Sequence, residues 1–309
     1  MKIYNHIDEF TPLKNAIVTI GTFDGVHQGH RQIIAGIKEL ARQTGGETVI
    51  LTFFPHPRMI IHPEDQTLKL ITTIHERAAL LEQLGVDHLI ITPFSRDFSN
   101  QLPEAYIRDI LVNKIGTRKI IIGYDHRFGK DRQGGLADLQ QAGPVYGFEV
   151  IEIPEQDIDN VAVSSTRIRE ALLRADIEQA NAFLSYPFFI TGKVIRGNQI
   201  GRQIGYPTAN LLVEESYKII PADGIFASTV EIDGQTYQGM SYIGHRPTIN
   251  GMTRNIEVNI FDFNQDIYNQ TVKMNFIHFV RHDVKFSSLE GLKEQLAQDK
   301  LDVLKLLNS

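Results

Sequence analysis

The first 184 residues alternate short apolar runs with longer segments in which apolar residues recur every three or four positions. The apolar runs predict buried strands, and the longer segments predict amphipathic helices. The predicted strands are 15–20, 48–54, 88–94, 119–124 and 148–154. Strands that alternate with helices indicate a parallel sheet covered by helices on both faces.

Three helices have recognisable starts in this part of the chain. The first begins near Gln28, and a second runs from Thr73, which pairs with Glu76 in a capping box, to Leu84. A third begins near Ser164. In sheets of this kind, ligands bind at the carboxyl ends of the strands, so the segments that follow the strands are the candidates for a site.

The pattern changes after Tyr186-Pro187, where apolar strands are separated by turn residues rather than by helices. The predicted strands of this half are 188–195, 224–232, 236–243, 255–263 and 271–281. This spacing predicts a small antiparallel β-barrel.

One amphipathic helix closes the chain. Ser287 and Glu290 predict its capping box. The leucines predicted to form its buried stripe are Leu292, Leu296, Leu301 and Leu304. The sequence therefore predicts two domains: a Rossmann-like α/β domain over 1–185, and a β-barrel with a terminal helix over 186–309.

Composition narrows the class of protein. The chain has 309 residues, of which 42% are hydrophobic and 22% charged, as in ordinary globular proteins. Its net charge of -6 argues against nucleic-acid binding. Cysteine is absent, which excludes thiolate metal sites and favours a reducing, cytoplasmic location. No apolar run approaches the roughly 18 residues of a membrane span, and we expect no membrane association.

The segment that joins the first strand to the first helix, G-T-F-D-G-V-H-Q-G-H over 21–30, has an unusual composition. At a helix N-terminus, free backbone N–H groups and the helix dipole attract phosphate, and glycine lets the backbone approach it closely. His27 and His30, three residues apart, would project toward the same phosphate. The alternative is that these histidines only cap the helix or fill the core.

This H-x-G-H pattern resembles the signature of the α/β-phosphodiesterase nucleotidyltransferases, which attach a nucleotide monophosphate to a phosphorylated acceptor and release pyrophosphate. Three further segments accompany it: T-F-F-P-H-P over 52–57, G-Y-D-H-R-F-G over 123–129 and V-S-S-T-R-I-R over 163–169. With the second half of the chain, they resemble the bacterial bifunctional riboflavin kinase/FAD synthetases over nearly the whole length.

This resemblance implies an N-terminal domain that adenylylates FMN, with His27 and His30 as catalytic residues that hold the ATP phosphates. Ser165, Thr166 and Arg169 would bind the β- and γ-phosphates; alternatively, they are a helix cap with a solvated arginine. Further nucleotide or phosphate contacts would come from Gly21, Phe23, Asp24, Gly25 and Gly29. Flavin or nucleotide contacts would come from Phe54, Pro55, His56, Pro57, Asp125 and Phe128. His126 departs from the family, which usually carries Phe there.

The second half carries G-K-V at 192–194, G-R at 201–202 and G-Y-P-T-A-N over 205–210, which resemble the nucleotide and metal site of riboflavin kinases. Gly192, Lys193, Gly201 and Arg202 would then contact the nucleotide. Pro207 fixes the backbone, and Thr208 and Asn210, which alternate along an extended segment, can present two oxygen ligands to Mg²⁺. The alternative is an ordinary turn.

In the strand predicted over 255–263, Glu257 and Asn259 share one face, and the apolar residues between them share the other. By resemblance, Glu257 is the general base for the riboflavin 5′-hydroxyl; the alternative is a surface glutamate. His245 is unusual for the family. Asn264-Gln265 stands where the family commonly has Asp-Gly, in a predicted hairpin loop.

The resemblance therefore implies an ATP- and Mg²⁺-dependent enzyme whose partners are riboflavin, FMN, FAD and ATP. The sequence contains no Walker A motif, which argues against a P-loop kinase. One competing interpretation is a nucleotidyltransferase for another acceptor, with the barrel as an accessory. The other is an RNA-binding protein, against which the acidic net charge counts. The sequence leaves the oligomeric state open.

Overall fold

The computed structural model describes residues 1–65, 67–123, 126–153, 163–197, 200–248 and 251–308. Internal contacts divide the chain into two compact units, Met1–Ser165 and Thr166–Ser309. The division falls earlier than the boundary after residue 185 that the periodicity predicts. The reason is that the helices between residues 166 and 184 group with the barrel.

The first unit contains a six-stranded sheet in which all neighbouring strands are parallel. Its strands are β1 (Lys2–Tyr4), β2 (Ala16–Ile20), β3 (Glu47–Phe53), β4 (His88–Thr92), β5 (Thr117–Gly123) and β6 (Glu149–Ile153). The five predicted strands are confirmed. Strand β1 escaped prediction because it is short and lies at the edge of the sheet, where it pairs only with β4.

The strand order β1-β4-β3-β2-β5-β6 positions the site. From β2 the chain moves outward through β3 and β4 on one side, and then continues through β5 and β6 on the other. Ligands bind at such a change of direction, outside the carboxyl ends of the strands. Strand β2 is fully buried between β3 and β5, so the segment that follows it emerges at the middle of this edge.

Helices connect the strands of the first unit. They are α1 (Gln28–Thr44), α2 (Pro57–Ile61), α3 (Ile74–Gln83), α4 (Arg96–Ser99), α5 (Pro103–Ala105), a π-helix (Tyr106–Ile115) and α6 (Leu136–Tyr146). The predicted capping box is confirmed, because Thr73 Oγ1 accepts from the Glu76 N–H and the Glu76 carboxylate accepts from the Thr73 N–H. It fixes the start of α3.

The second unit is a closed six-stranded barrel of order β10-β11-β8-β7-β12-β9. Its strands are β7 (Phe189–Ile195), β8 (Ala209–Leu212), β9 (Gly224–Ile232), β10 (Gln235–Thr248), β11 (Gly251–Ile260) and β12 (Thr271–Arg281). Five of the six were predicted as strands. The short strand β8 was predicted only as an extended segment, because it lies directly after a proline turn.

Four helices accompany the barrel: α7 (Ser165–Leu173), α8 (Ile177–Leu184), α9 (Ile200–Gln203) and α10 (Leu289–Leu307). Helix α7 begins at the last residue of the first unit. Helix α8 is held to the barrel by Asn181, whose side chain accepts from the Phe188 N–H at 2.6 Å and donates to the Phe276 carbonyl at 2.9 Å.

Two details predicted for the terminal helix are wrong. Ser288, not Ser287, is the N-cap, and its side chain accepts from the Gly291 N–H at 3.1 Å. Leu301 is 63% exposed, whereas Val303 is fully buried. The buried stripe follows steps of three and four residues through Asp299 and Val303, and Leu301 lies off it. Asp299 can occupy the stripe because Arg281 donates to both of its carboxylate oxygens, at 2.7 and 2.6 Å.

Candidate active sites

The turn between β2 and α1 has a strongly bent backbone. Phe23, Gly25 and Val26 all have positive φ, at 48°, 83° and 39°. The Val26 N–H donates to the Phe23 carbonyl at 3.0 Å and closes the turn. A side chain at Gly25 would meet Ile71 at 3.0 Å, so this position requires glycine for both space and backbone conformation.

The two histidines of the motif lie together at the N-terminus of α1. Their rings stack with centroids 3.7 Å apart and an interplanar angle of 19°, and the Phe23 ring contacts His30 at 4.9 Å. His27 is the N-cap residue, but its side chain makes no capping hydrogen bond. The Nδ1 atom of His30 is buried with no hydrogen-bond partner among the described residues. This arrangement disfavours the capping alternative.

The side chain of Asp24 bonds the turn to the segment that precedes α3. Its buried carboxylate accepts from the Ile71 N–H at 3.1 Å and from the Thr72 N–H at 3.0 Å, and it lies 3.6 Å from the Arg77 guanidinium. Both carboxylate oxygens are therefore engaged within the protein.

Arg77 is a residue that the sequence did not single out. It lies on α3 and its side chain is 1% exposed. Burial, followed by the charges of His27 and Arg77, holds the pKa of His30 well below its ordinary value of 6.5. His30 is therefore neutral at neutral pH, and a neutral imidazole donates through one ring nitrogen only.

Ser165 reaches the same turn from the start of α7. Its hydroxyl donates to the Asp24 carbonyl at 3.0 Å. Thr166 and Arg169, the other predicted phosphate ligands of this segment, follow on α7 in the second unit. Ser165 is thus bonded to the turn that carries His27 and His30.

The predicted flavin segment follows β3. The Phe54 N–H donates to the Thr92 carbonyl at 3.2 Å, and His56 caps α2, since its Nδ1 accepts from the Arg58 N–H at 3.1 Å. Pro55 separates Phe54 from His56, and Pro57 is the first residue of α2. Asp125 lies outside the described residues. His126, which departs from the family, has its ring 5.8 Å from that of Phe128.

Phe128 belongs to a row of aromatic rings along the carboxyl edge of the sheet. Its ring lies 5.1 Å from that of Tyr106. The row continues from ring to ring with centroids at most 6.0 Å apart, through Tyr106, Phe98, Phe94 and Phe53. The spacing of these aromatics in the sequence gave no indication of the row, because it depends on contacts between different loops.

The barrel brings a second set of predicted residues together. Strand β11 pairs with β8 so that Glu257 lies directly opposite Asn210. The Thr208 hydroxyl donates to Glu257 Oε2 at 3.0 Å. Glu257 is 5% exposed. The alternative of an ordinary surface glutamate is therefore wrong, because this carboxylate is buried, bonded to Thr208 and paired in register with Asn210.

The glycines around this site allow close packing of its loops. A side chain at Gly201 would collide with the Tyr206 carbonyl, and one at Gly197 would collide with the Asn210 side chain. Gly192 is buried on β7, and the next residue, Lys193, is exposed. Lys193 lies on the same strand face as Ile195, which pairs with Asn210. Arg202 is exposed on α9.

His245 also departs from the family, and the structure gives it local partners. It lies opposite Arg254 across β10 and β11. Its Nδ1 is 2.7 Å from one Asp223 oxygen, and the Arg254 guanidinium is 2.8 Å from the other. The cluster ties this hairpin to the loop that precedes β9.

Known proteins match both halves of the chain. A family model described as FAD synthetase matches residues 10–167, and one described as riboflavin kinase matches residues 184–307. A bifunctional riboflavin kinase/FMN adenylyltransferase of Listeria monocytogenes is 36% identical over 296 residues, covering 96% of this chain and 93% of the relative. The chain belongs to this family. A member from Haemophilus influenzae is 37% identical over 288 residues, covering 93% of this chain and 92% of its own.

A solved structure shares the whole architecture. It is a Streptococcus pneumoniae protein titled macrolide-efflux protein, 33% identical, with a TM-score of 0.85 over 97% of each chain. Its title differs from the names of the family members above. Within the described residues of our chain, no helix combines the length and apolar character needed to span a bilayer.

Enzymes that use ATP in these two ways generally need a divalent metal. In the described part of the chain, no three His, Asp or Glu side chains group in a way that could hold one. The segment beside Glu257 on the barrel instead carries one hydroxyl and one amide oxygen, on Thr208 and Asn210. Oxygen donors of this kind fit a hard cation.

Proposed function

We propose that this chain makes FMN from riboflavin in its barrel and FAD from FMN at its His27 and His30 turn. Membership in the riboflavin kinase/FMN adenylyltransferase family supports both reactions. The observation that carries the assignment of residues is the buried Glu257 carboxylate, which accepts from the Thr208 hydroxyl and lies in register with Asn210.

In the kinase reaction, the riboflavin 5′-hydroxyl oxygen bonds to the γ-phosphorus of ATP as the bond from that phosphorus to the β-phosphate oxygen breaks. Glu257 takes the hydroxyl proton, and ADP leaves. Thr208 and Asn210 would hold Mg²⁺, which neutralises charge on the phosphate oxygens when it is bound. Gly192, Lys193, Gly201 and Arg202 would line the nucleotide.

In the adenylyl reaction, a phosphate oxygen of FMN bonds to the α-phosphorus of a second ATP, and pyrophosphate leaves. No covalent enzyme intermediate is needed. His27 and His30 donate hydrogen bonds to the phosphate oxygens on which negative charge builds, a task of positioning and electrostatics. The neutral imidazole of His30 suits this role, because it keeps one N–H donor.

The remaining predicted contacts belong to this second reaction. Gly21, Phe23, Gly25 and Gly29 shape the phosphate turn, and Ser165, Thr166 and Arg169 would bind the β- and γ-phosphates. Phe54 to Pro57, Asp125 and Phe128 would contact the flavin or the nucleotide.

Analysis of the nucleotide products tests the proposal. Purified protein with riboflavin, ATP and Mg²⁺ should release ADP while FMN forms. With FMN in place of riboflavin, it should release pyrophosphate and no ADP while FAD forms. Release of AMP or ADP without any new flavin would contradict the proposal. Release of ADP when FMN is the only flavin supplied would also contradict it.

A further inference from the structure

Asn259 is a buried polar residue that the proposed mechanism does not use. It lies two residues after Glu257 on β11, so both side chains point to the same face of the strand. It is 7% exposed. Its Nδ2 atom donates to the Pro207 carbonyl at 2.7 Å.

This bond lies where the backbone ladder ends. Strand β8 begins at Ala209, which pairs with Val258, and the pairing goes no further toward Pro207. Pro207 has no N–H and cannot donate to the neighbouring strand. The side chain of Asn259 therefore supplies the contact with β11 that the backbone does not make.

Two bonds from one strand face thus hold two successive residues. Asn259 holds the carbonyl of Pro207, and Glu257 holds the hydroxyl of Thr208. The carbonyl of the Pro207–Thr208 peptide group and the side chain of Thr208 are therefore both bonded to β11. Asn210 follows two residues later, on the same face as Thr208.

We propose that Asn259 is a positioning residue of the kinase site, whose amide N–H sets the Pro207–Thr208 peptide so that Thr208 and Asn210 present their oxygens together. This inference rests on the proposed function, because it assigns Thr208 and Asn210 to the metal. Asn259 does not touch the reacting atoms, so its loss should affect metal dependence more than flavin binding.

The test compares Asn259→Ala and Asn259→Asp with Asn275→Ala in the full-length protein. Asn275 is a matched control, since it is also 7% exposed, lies on a barrel strand and donates to side chains, Thr229 and Glu231. Asn259→Asp keeps the side-chain volume and loses the N–H donor, so it serves if the alanine variant folds poorly.

Two readouts are needed. Mutation of a residue that orients metal ligands typically lowers metal affinity or activity by about 10- to 100-fold. The Mg²⁺ concentration for half-maximal FMN formation should therefore rise by about that factor in the Asn259 variants. Hydrogen exchange of the peptide over 206–212, without ligands, should be faster than in the parent. Neither should change in Asn275→Ala, and riboflavin binding followed by its fluorescence should change little.

Glu257→Gln, assayed in parallel, distinguishes a failure of the proposed kinase site from a failure of the role of Asn259 alone. If FMN formation is normal in Glu257→Gln, the proposed kinase site itself is wrong. If Glu257→Gln is impaired but both Asn259 variants show parental Mg²⁺ dependence and exchange, only the role of Asn259 is overturned. A loss of riboflavin binding equal to the loss of activity in the Asn259 variants would also overturn it, because the residue would then be a structural support of the whole pocket.

Discussion

The imidazole rings of His27 and His30 lie stacked, 3.7 Å apart, at the N-terminus of α1. Two rings this close cannot easily both carry a positive charge. Burial is the largest cause that holds the pKa of His30 well below 6.5, and the charges of His27 and Arg77 lower it further. His30 is thus a neutral imidazole at neutral pH.

This pKa predicts a pH dependence of stability. Because His30 resists protonation in the folded state, the unfolded chain binds more protons as the pH falls below about 6.5, and stability falls with it. Above that pH the full stability of the folded state is retained with respect to this group. In urea unfolding between pH 7.5 and pH 5, the parent should lose more stability than His30→Gln, which lacks the group. Equal losses in the two proteins would contradict the lowered pKa.

Replacement of His30 by alanine should affect one reaction only. Loss of one preorganised donor to a transition-state charge typically costs about 10²- to 10³-fold in rate, so conversion of FMN to FAD should fall by about that factor. Formation of FMN from riboflavin should continue. The measurement is the initial rate of each reaction, with the flavins separated by chromatography. A rate of FAD synthesis within a few-fold of the parent would show that His30 has another role.

The second unit should fold and phosphorylate riboflavin alone when it includes α8. A fragment over 166–309 keeps Asn181 and its bonds to Phe188 and Phe276, whereas a fragment over 186–309, which starts at the predicted boundary, loses them. It also loses the buried side chains of Ile177 and Leu184. Each buried group left unpaired costs about 1–3 kcal/mol.

Thermal melts followed by circular dichroism test this difference. The longer fragment should melt cooperatively and at the higher temperature, and should form FMN. Asn181→Ala in the longer fragment is the matched variant, and its melting temperature should lie between the two. Equal melting temperatures for the two fragments would mean that α8 is not part of the barrel domain. A folded longer fragment that forms no FMN would argue against a self-contained kinase site.

Glu257→Gln should impair the kinase reaction. The amide keeps the volume of the side chain and can still bond to Thr208, but it cannot accept the proton of the riboflavin hydroxyl. General-base catalysis typically contributes 10²- to 10⁴-fold, so FMN formation should fall by about that range, with little change in riboflavin binding. Thr208→Ser, which keeps the hydroxyl, is the matched control and should retain most of the activity. Parental FMN formation in Glu257→Gln would refute the base assignment.

Periodicity was enough to predict the architecture of both units. Strand β2 is apolar except for Thr19 because it is buried on both faces, and the barrel strand β7 alternates between buried and exposed residues over 192–195 because one face packs inward. The predictions failed where structure depends on few residues. Strand β1 has three residues and pairs with one neighbouring strand. In the terminal helix, the charged residue Asp299 lies on the buried stripe because Arg281 binds it, and Leu301 is therefore left exposed.

The candidate sites divide in the same way. His27, His30, Thr208 and Glu257 were predicted from short motifs, since their chemistry is local or repeats along a strand. Arg77 and Asn259 were not assigned any role, because their contacts with Asp24 and Pro207 join segments far apart in the chain. A buried arginine on an amphipathic helix carries no mark in the sequence that separates it from a solvated one.

The most direct test of two reactions at two separate sites is a complementation assay with Glu257→Gln and His30→Ala. Each variant alone, with riboflavin, ATP and Mg²⁺, should form less than about one hundredth of the parental FAD. An equimolar mixture should form FAD readily, because His30→Ala supplies FMN and Glu257→Gln converts it. Parental FAD formation by either variant alone, or loss of both reactions in either folded variant, would contradict the account.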